Sequence, residues 1–381
     1  MNVTYVSTLC SKRIIDEIIN KYGEKPLQSV QKYHRLLCEG FARNNVSIKT
    51  ISSIPLILSS NKKVLKEKEE IVNDVKYRYI TTMNFKLLRH ICLLFGSFIM
   101  CIKDIIKNKN TVFICDILNQ SVTLGAFIAC KLFRKKCIAI VTDRPIDIFK
   151  KDNIICKIQS KFDGYIFLTA AMNTNINTNN KPYLVVEGIA DFGEKKSRHR
   201  KSREDKFVIM YAGGLYEKYG LKVLVEAIKQ IKNNNIYLNI YGSGELEEYL
   251  KEIDDRRVKY FGVLSNDDIL KKENEADLLI NPRFSDSEYV KYSFPSKIIE
   301  YMYSGTPVLT TKLAGIPKEY DDYLMYIDDE NAEGIRKKIV TIYNMDKAEC
   351  EKIGRRAKDF VEKNKNKIVQ SSKVIDFINN L

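Results

Sequence analysis

Three short stretches carry residue types suited to holding an anionic ligand. The first runs from Tyr292 to Leu309, "YSFPSKIIEYMYSGTPVL", and sets Phe294, Pro295, Ser296 and Lys297 at the front of an apolar helical pattern. Proline loses no hydrogen bond at the opening position of a helix. Ser293 and Ser296 are candidates to cap its free amides, and Gly305 and Pro307 close it. The free N–H groups and positive dipole end of such a terminus attract phosphate, and Lys297 adds a full positive charge. Glu300 lies about 7–8 Å further along at ~1.5 Å per residue. That offset suits a carboxylate accepting hydrogen bonds from the vicinal hydroxyls of a ribose. A structural helix with a solvated glutamate is the competing explanation.

The second stretch, "YAGGLYEKYG", puts Gly213 and Gly214 directly after an apolar run, with Lys218 four residues on. The third, "YGSGEL", does the same with Gly242, Ser243 and Gly244. Glycine turns let a backbone approach a diphosphate, although α/β folds also use them with no ligand at all. In the first half, "CIAIVTDRP" ends an apolar run on Asp143, Arg144 and Pro145. Asp143 is suited to stabilising positive charge or orienting a hydroxyl, and equally to capping the next turn. His34 reads as structural on an amphipathic helix, and His90 and His199 as surface or linker residues. Asp-x-Asp, Ser-His-Asp, Cys-His and phosphate-loop patterns are absent. Phosphate charge is therefore expected to fall to Lys, Arg and helix amides, with no metal and no cofactor. Nine cysteines are scattered without CxxC spacing and read as reduced thiols.

Positioning these residues takes a parallel sheet. The second half predicts strands at 207–213, 236–242, 258–262, 276–282, 306–311 and 323–327, separated by helical patterns, and the last of these spans 332–343. The first half repeats the rhythm. Strands are predicted at 3–7, 46–51, 111–115, 137–141, 165–168 and 183–187, and helices at 27–44, 85–107, 122–133 and 148–161. Strand and helix in alternation make an α/β, doubly wound architecture with ligands at strand C-terminal ends. The domains expected are residues 1–190, a charged linker at 191–206, residues 207–348, and tail helices at 349–381 that pack back on the first domain.

The net charge of +15 suits phosphorylated small molecules, an anionic membrane surface or nucleic acid. The chain carries no nucleic-acid module signature, so nucleic acid ranks last. No secretory signal opens the chain. The most apolar segment, "ICLLFGSFIMCI", falls short of the roughly 20 residues that span a bilayer. A cytoplasmic protein is expected. The 85–107 segment sets Arg89, Lys103 and Lys107 beside a broad apolar face, which suits packing on the sheet or lying on the inner face of the cell membrane.

The pieces "YAGGLYEKYGLKVLVEAI", "IYGSGELEEYL", "KYFGVLSNDDILKKENEADLLINPR" and "SFPSKIIEYMYSGTPVLTT" together resemble the GT-B glycosyltransferases, specifically glycosyltransferase family 4 of the bacterial polysaccharide-biosynthesis type. The resemblance implies two Rossmann-like domains facing a cleft. It also implies a retaining, hexosyltransferase-like transfer from a nucleoside-diphosphate sugar to an acceptor hydroxyl, such as that of a lipid-linked saccharide. The donor pocket maps onto Gly213–Lys218, the Pro295 helix start and Glu300. Three departures stand out. The first of the family's two acids is replaced by Tyr292, with Glu288 nearby but out of register. The frequent Arg of the first glycine loop is replaced by Gly214. The first domain's cleft His corresponds to Asp143. A nucleotide-sugar 2-epimerase of the same architecture, or a non-catalytic nucleotide-sugar-binding subunit, stays open as an alternative.

Overall fold

The computed structural model describes residues 1–22, 28–55, 63–149, 153–191 and 206–381. The chain divides into two compact units, one of Met1–Ile189 with Lys367–Leu381, the other of Ala190–Asn366. The linker expected at 191–206, with His199, lies almost wholly outside the described residues.

The first unit is built on an eight-stranded sheet in the order Tyr183–Val185, Gly164–Phe167, Cys137–Val141, Thr111–Asp116, Asn2–Ser7, Ser47–Ser52, Val75–Tyr77, Glu70–Val72. Every neighbouring pair is parallel except the last. Helices on its faces leave no polar side, so Cys137–Val141 is buried at all five positions and reads as one apolar run. The helix expected at 27–44 is Gln28–Arg43, with residue 27 outside the described set. That expected at 148–161 is broken into Pro145–Ile148, Ile154–Ile158 and a 3₁₀ turn at Gln159–Lys161. Pro145 starts a helix early, and Asn153 caps a second start by accepting from Ile155 N–H at 2.9 Å. The helix Lys12–Tyr22 is absent from the sequence expectation, although Ile14 and Ile18 lie one turn apart and are both buried.

The chain's last helix, Lys367–Asn379, also belongs to this unit. It packs against Gln28–Arg43 at Gly40, where an added Cβ would lie 2.1 Å from the Lys367 carbonyl oxygen. Lys367 Nζ reaches the buried Glu39 carboxylate at 2.6 Å. The tail expected as one block is thus shared, since Lys347–Asn364 belongs to the second unit.

The second unit holds a six-stranded, all-parallel sheet in the order Val258–Tyr260, Ile236–Ser243, Phe207–Gly214, Leu278–Asn281, Val308–Thr311, Met325–Ile327. Numbered along the chain, that order is 3-2-1-4-5-6. The winding reverses between Phe207–Gly214 and Leu278–Asn281, the point at which doubly wound sheets open a crevice for ligands. These two strands pair only at Ile209 with Leu278 and Met210 with Leu279, then diverge. Beyond Met210 the first strand has no sheet neighbour on that side among the described residues.

Candidate functional site

The divergence leaves the N–H and C=O of Ala212 facing the gap. Tyr301, on the helix Lys297–Ser304, fills it. Its hydroxyl accepts from Ala212 N–H at 2.8 Å and donates to Ala212 O at 3.1 Å. That pair of bonds ties the helix carrying Lys297 and Glu300 to the strand ending in Gly213 and Gly214. Burial, and then the charge of Glu273, push the Tyr301 phenol well above its usual range, so it keeps the proton it donates.

The helix start differs in detail from the expectation. Ser296 occupies the cap position, Lys297 is the first helical residue, and Pro295 precedes the cap. The Pro295 carbonyl accepts from Ile298 N–H at 2.9 Å, so the first turn is of the tight 3₁₀ kind. The Ser296 side chain makes no capping hydrogen bond. Phe294 is buried against Tyr320, with ring centroids 5.7 Å apart, and Pro295 is buried beside it. These two residues anchor the turn and do not present a surface to a donor. Tyr292 ends the 3₁₀ turn Glu288–Lys291 and is half-buried.

Lys297 does not stand as an open positive charge. Its ammonium lies 2.6 Å from Glu300 and 3.6 Å from the fully buried Glu273 on the helix Asn266–Glu275. Burial works against the ammonium, but the two carboxylates outweigh it and hold its pKa above the ordinary lysine value. The pair orients Glu300 at the N-terminal turn, where a carboxylate is favoured by the dipole.

The two glycine turns form one packed unit. Gly213 pairs with Gly242 and Gly214 with Ser243 in the parallel ladder. Gly242 has φ +136°, and an added Cβ would sit 1.8 Å from the Gly213 carbonyl oxygen, so only glycine permits this approach. The amides of the second turn are already bonded. Gly244 N–H donates to Glu247 at 3.0 Å, and Glu217 N–H of the first turn donates to Glu245 at 2.8 Å. Carboxylates thus stand where the "GSG" turn was expected to meet a diphosphate. At Gly214 an added Cβ would come within 2.9 Å of the Tyr216 ring and 3.2 Å of the Tyr219 ring. The rings fill the space that an arginine would need.

Lys218 has a different setting. Its ammonium lies 5.7 Å from the Tyr216 ring centroid and 5.4 Å from those of Tyr219 and Tyr289. Among the described residues it forms no ion pair with a carboxylate. Arg283, two residues past the strand Leu278–Asn281, stacks with its guanidinium carbon 4.3 Å from the Tyr219 centroid and 6.0 Å from that of Tyr289. Gly220 joins the two loops. It has φ +75°, and a Cβ there would lie 2.0 Å from the Pro282 carbonyl oxygen.

In the first unit, Asp143 follows the strand Cys137–Val141 and is exposed, while Asp116 ends the neighbouring strand and is buried. Crowding by protein, and then the charges of Asp116 and Asp147, push the Asp143 carboxyl up to about 6. Arg144 is bidentate to Asp147 at 2.6 and 2.8 Å. His34 is fully buried between Tyr5 Oη, 2.5 Å from Nδ1, and Asp116, 3.5 Å from Nε2. That agrees with its structural reading. His90 is at the surface beside Ser121. All nine cysteines are free thiols.

Sequence reasoning missed Tyr301, Glu273 and Arg283. For Arg283 a signal existed, because it closes a strand at the C-terminal edge. The order that sets that strand beside Phe207–Gly214 did not show in the sequence.

Comparison with solved structures defines the architecture. The chain superposes on Anabaena HepE in complex with UDP with a TM-score of 0.67 over 100% of both chains, at 13% identity. It superposes on sucrose-phosphate synthase from Thermosynechococcus elongatus with a TM-score of 0.66, over 100% of this chain and 99% of that one, at 13% identity. Both likenesses speak for the fold, which is GT-B with two Rossmann-like units. Residues 206–345 match the family described as Glycosyl transferases group 1. The putative colanic acid biosynthesis glycosyltransferase WcaL of Escherichia coli is 24% identical over 163 residues, 40% of each chain. An uncharacterized glycosyltransferase of Methanocaldococcus jannaschii is 27% identical over 132 residues, 32% of each chain. The chain therefore spans about a third to two-fifths of the length of these curated relatives. The likenesses show a GT-B fold and a second unit similar to the group 1 glycosyltransferases.

Proposed function

We propose that this protein is a retaining glycosyltransferase of family 4 that moves a sugar from a nucleoside-diphosphate sugar to an acceptor hydroxyl. The observation that carries the reading is Lys218. It is a cation with no carboxylate partner among the described residues, at the sheet's switch point, inside the segment that matches the group 1 family. HepE, of similar fold, was solved with UDP-glucose, which favours a nucleoside-diphosphate donor here. As the glycosidic bond breaks, negative charge grows on the leaving phosphate, and a preorganised ammonium stabilises it. Glu300, held by Lys297, receives the ribose hydroxyls. The leaving phosphate takes the acceptor's proton, so no protein nucleophile is needed. Asp143 orients the acceptor hydroxyl.

The acceptor is a lipid-linked saccharide of cell-surface polysaccharide biosynthesis, met at the cytoplasmic face of a membrane. The helix Lys86–Lys107 supports this. It exposes Leu87, Leu88, Ile91, Phe95, Ile99 and Ile106. The helix Gln120–Leu132, packed on it where Gly125 meets the Leu94 carbonyl, exposes Ile128 and Leu132. The only acid on either helix is Asp104, buried and bonded to Arg78, while Lys103, Lys107 and Lys131 are exposed. A broad apolar face rimmed by lysines suits an anionic lipid surface. No helix among the described residues is long and apolar enough to cross a membrane.

The test is a thermal-shift panel of uridine, guanosine and adenosine diphosphate sugars, followed by transfer to a lipid-linked acceptor with the stabilising donor. A rise in melting temperature with one base, and transfer abolished in Lys218→Ala, is the expected result. Donor conversion without acceptor points to an epimerase, and binding without turnover points to a non-catalytic subunit.

A further inference from the structure

We infer that Arg283 is a second cation of the donor's diphosphate site, acting together with Lys218; the inference rests on the nucleoside-diphosphate reading above. Arg283 makes no hydrogen bond and no ion pair to any described residue. Its Nε is buried without a partner, so the guanidinium is held by ring stacking on Tyr219 and Tyr289 and not by an acceptor. The two Nη groups are not buried, and they are the part of the planar fork that a ligand can reach.

An arginine fixed in this way is costly to leave without an acceptor. A buried donor with no partner is disfavoured. Moreover, Lys218 and Arg283 are like charges that share the same two tyrosine rings, with no carboxylate to balance either among the described residues. Two other loop and helix cations of the chain, Lys297 and Arg144, are each matched by acids. An arrangement of two unmatched cations is stable in the presence of a doubly charged partner that bridges them. The location selects the partner's chemistry. Both residues stand at the C-terminal ends of the two strands that diverge at the switch point, where a phosphate-bearing ligand lies in sheets of this winding. The planar fork matches phosphate oxygens two at a time, whereas Lys218 acts as a point charge. Stacking on Tyr219 fixes the plane of the fork before the ligand arrives, so little side-chain freedom is lost on binding. Gly220 sustains the geometry by bringing the Lys218 turn against Pro282, next to Arg283.

The experiment is calorimetric titration of the full chain with UDP, GDP and ADP, and with the corresponding monophosphates, for wild type, Arg283→Gln and Arg283→Lys. Expected is a loss of about 10- to 100-fold in affinity for the preferred diphosphate in Arg283→Gln. The loss for the monophosphate is smaller, since the second phosphate supplies the bridge. Arg283→Lys keeps the charge but not the fork and is expected to lose about tenfold. Either folded variant that binds the diphosphate within twofold of wild type overturns the role given to Arg283. Wild type that binds none of the three diphosphates overturns the donor reading itself, and the inference with it.

Discussion

Replacing Tyr301 by Phe tests how the second unit holds its site together. The hydroxyl bonds two backbone groups of Ala212, at 2.8 and 3.1 Å, and Tyr301 is 1% exposed. Removing it strands an N–H and a C=O inside the buried core. Each unsatisfied buried group costs about 1–3 kcal/mol, so about 3 kcal/mol in total is a moderate expectation. For a unit of this size that corresponds to a melting shift of roughly 6–12 °C, at about 2–4 °C per kcal/mol. The assay is calorimetric unfolding of the full chain, with hydrogen exchange read at the Ala212 amide. Exchange there should quicken by more than it does in the neighbouring strand Ile236–Ser243. A melting temperature within about 2 °C of wild type, together with unchanged Ala212 protection, would refute the account of a strand end held by a phenol.

Three further outcomes follow from the geometry. Glu300→Ala should weaken binding of the preferred nucleoside-diphosphate sugar by about tenfold, the value of a lost charged hydrogen bond, and an unchanged dissociation constant by calorimetry counts against the ribose assignment. Asp143, raised above its unfolded value of about 3.9, binds its extra proton in the folded state. Its contribution to stability is therefore full below pH ~4 and lost as pH rises through about 6, and Asp143→Asn should flatten that slope in melting curves taken from pH 4 to 7. If it orients the acceptor as a carboxylate, the rate of transfer should also lose its acid limb near pH 6 in the variant. Finally, Leu87→Asp with Phe95→Asp should lower co-sedimentation with phosphatidylglycerol vesicles at least tenfold, because two exposed apolar side chains of about 1.5–3 kcal/mol each are replaced by charges that anionic lipid repels; equal sedimentation speaks for a protein partner on that face.

Much of the fold was legible locally. Cys137–Val141 and Ala332–Tyr343 match the expected bounds, and most other strands differ by one or two residues. Burial on both faces leaves unbroken apolar runs, and a helix shows its period within a few residues, so short windows hold the needed information. The glycine turns and, to within two residues, the helix start were visible for the same reason: backbone turns and helix ends depend on near neighbours. What those windows lacked was the partner of each charge. Lys297 proved to be matched by Glu300 and by Glu273, 24 positions before it, so it does not stand as the open charge that the sequence suggested.

The amino-acid order was thus sufficient for the alternation of strand and helix, and for the glycine turns that follow the strands Phe207–Gly214 and Ile236–Ser243. It was insufficient for the order of strands in the sheet, for the phenol of Tyr301 that reaches a backbone 89 positions away, and for the tyrosine stack that holds Arg283 beside Lys218. Electrostatic and packing energies depend on distance through space, and a parallel sheet brings together residues whose separation along the chain carries no trace of that nearness.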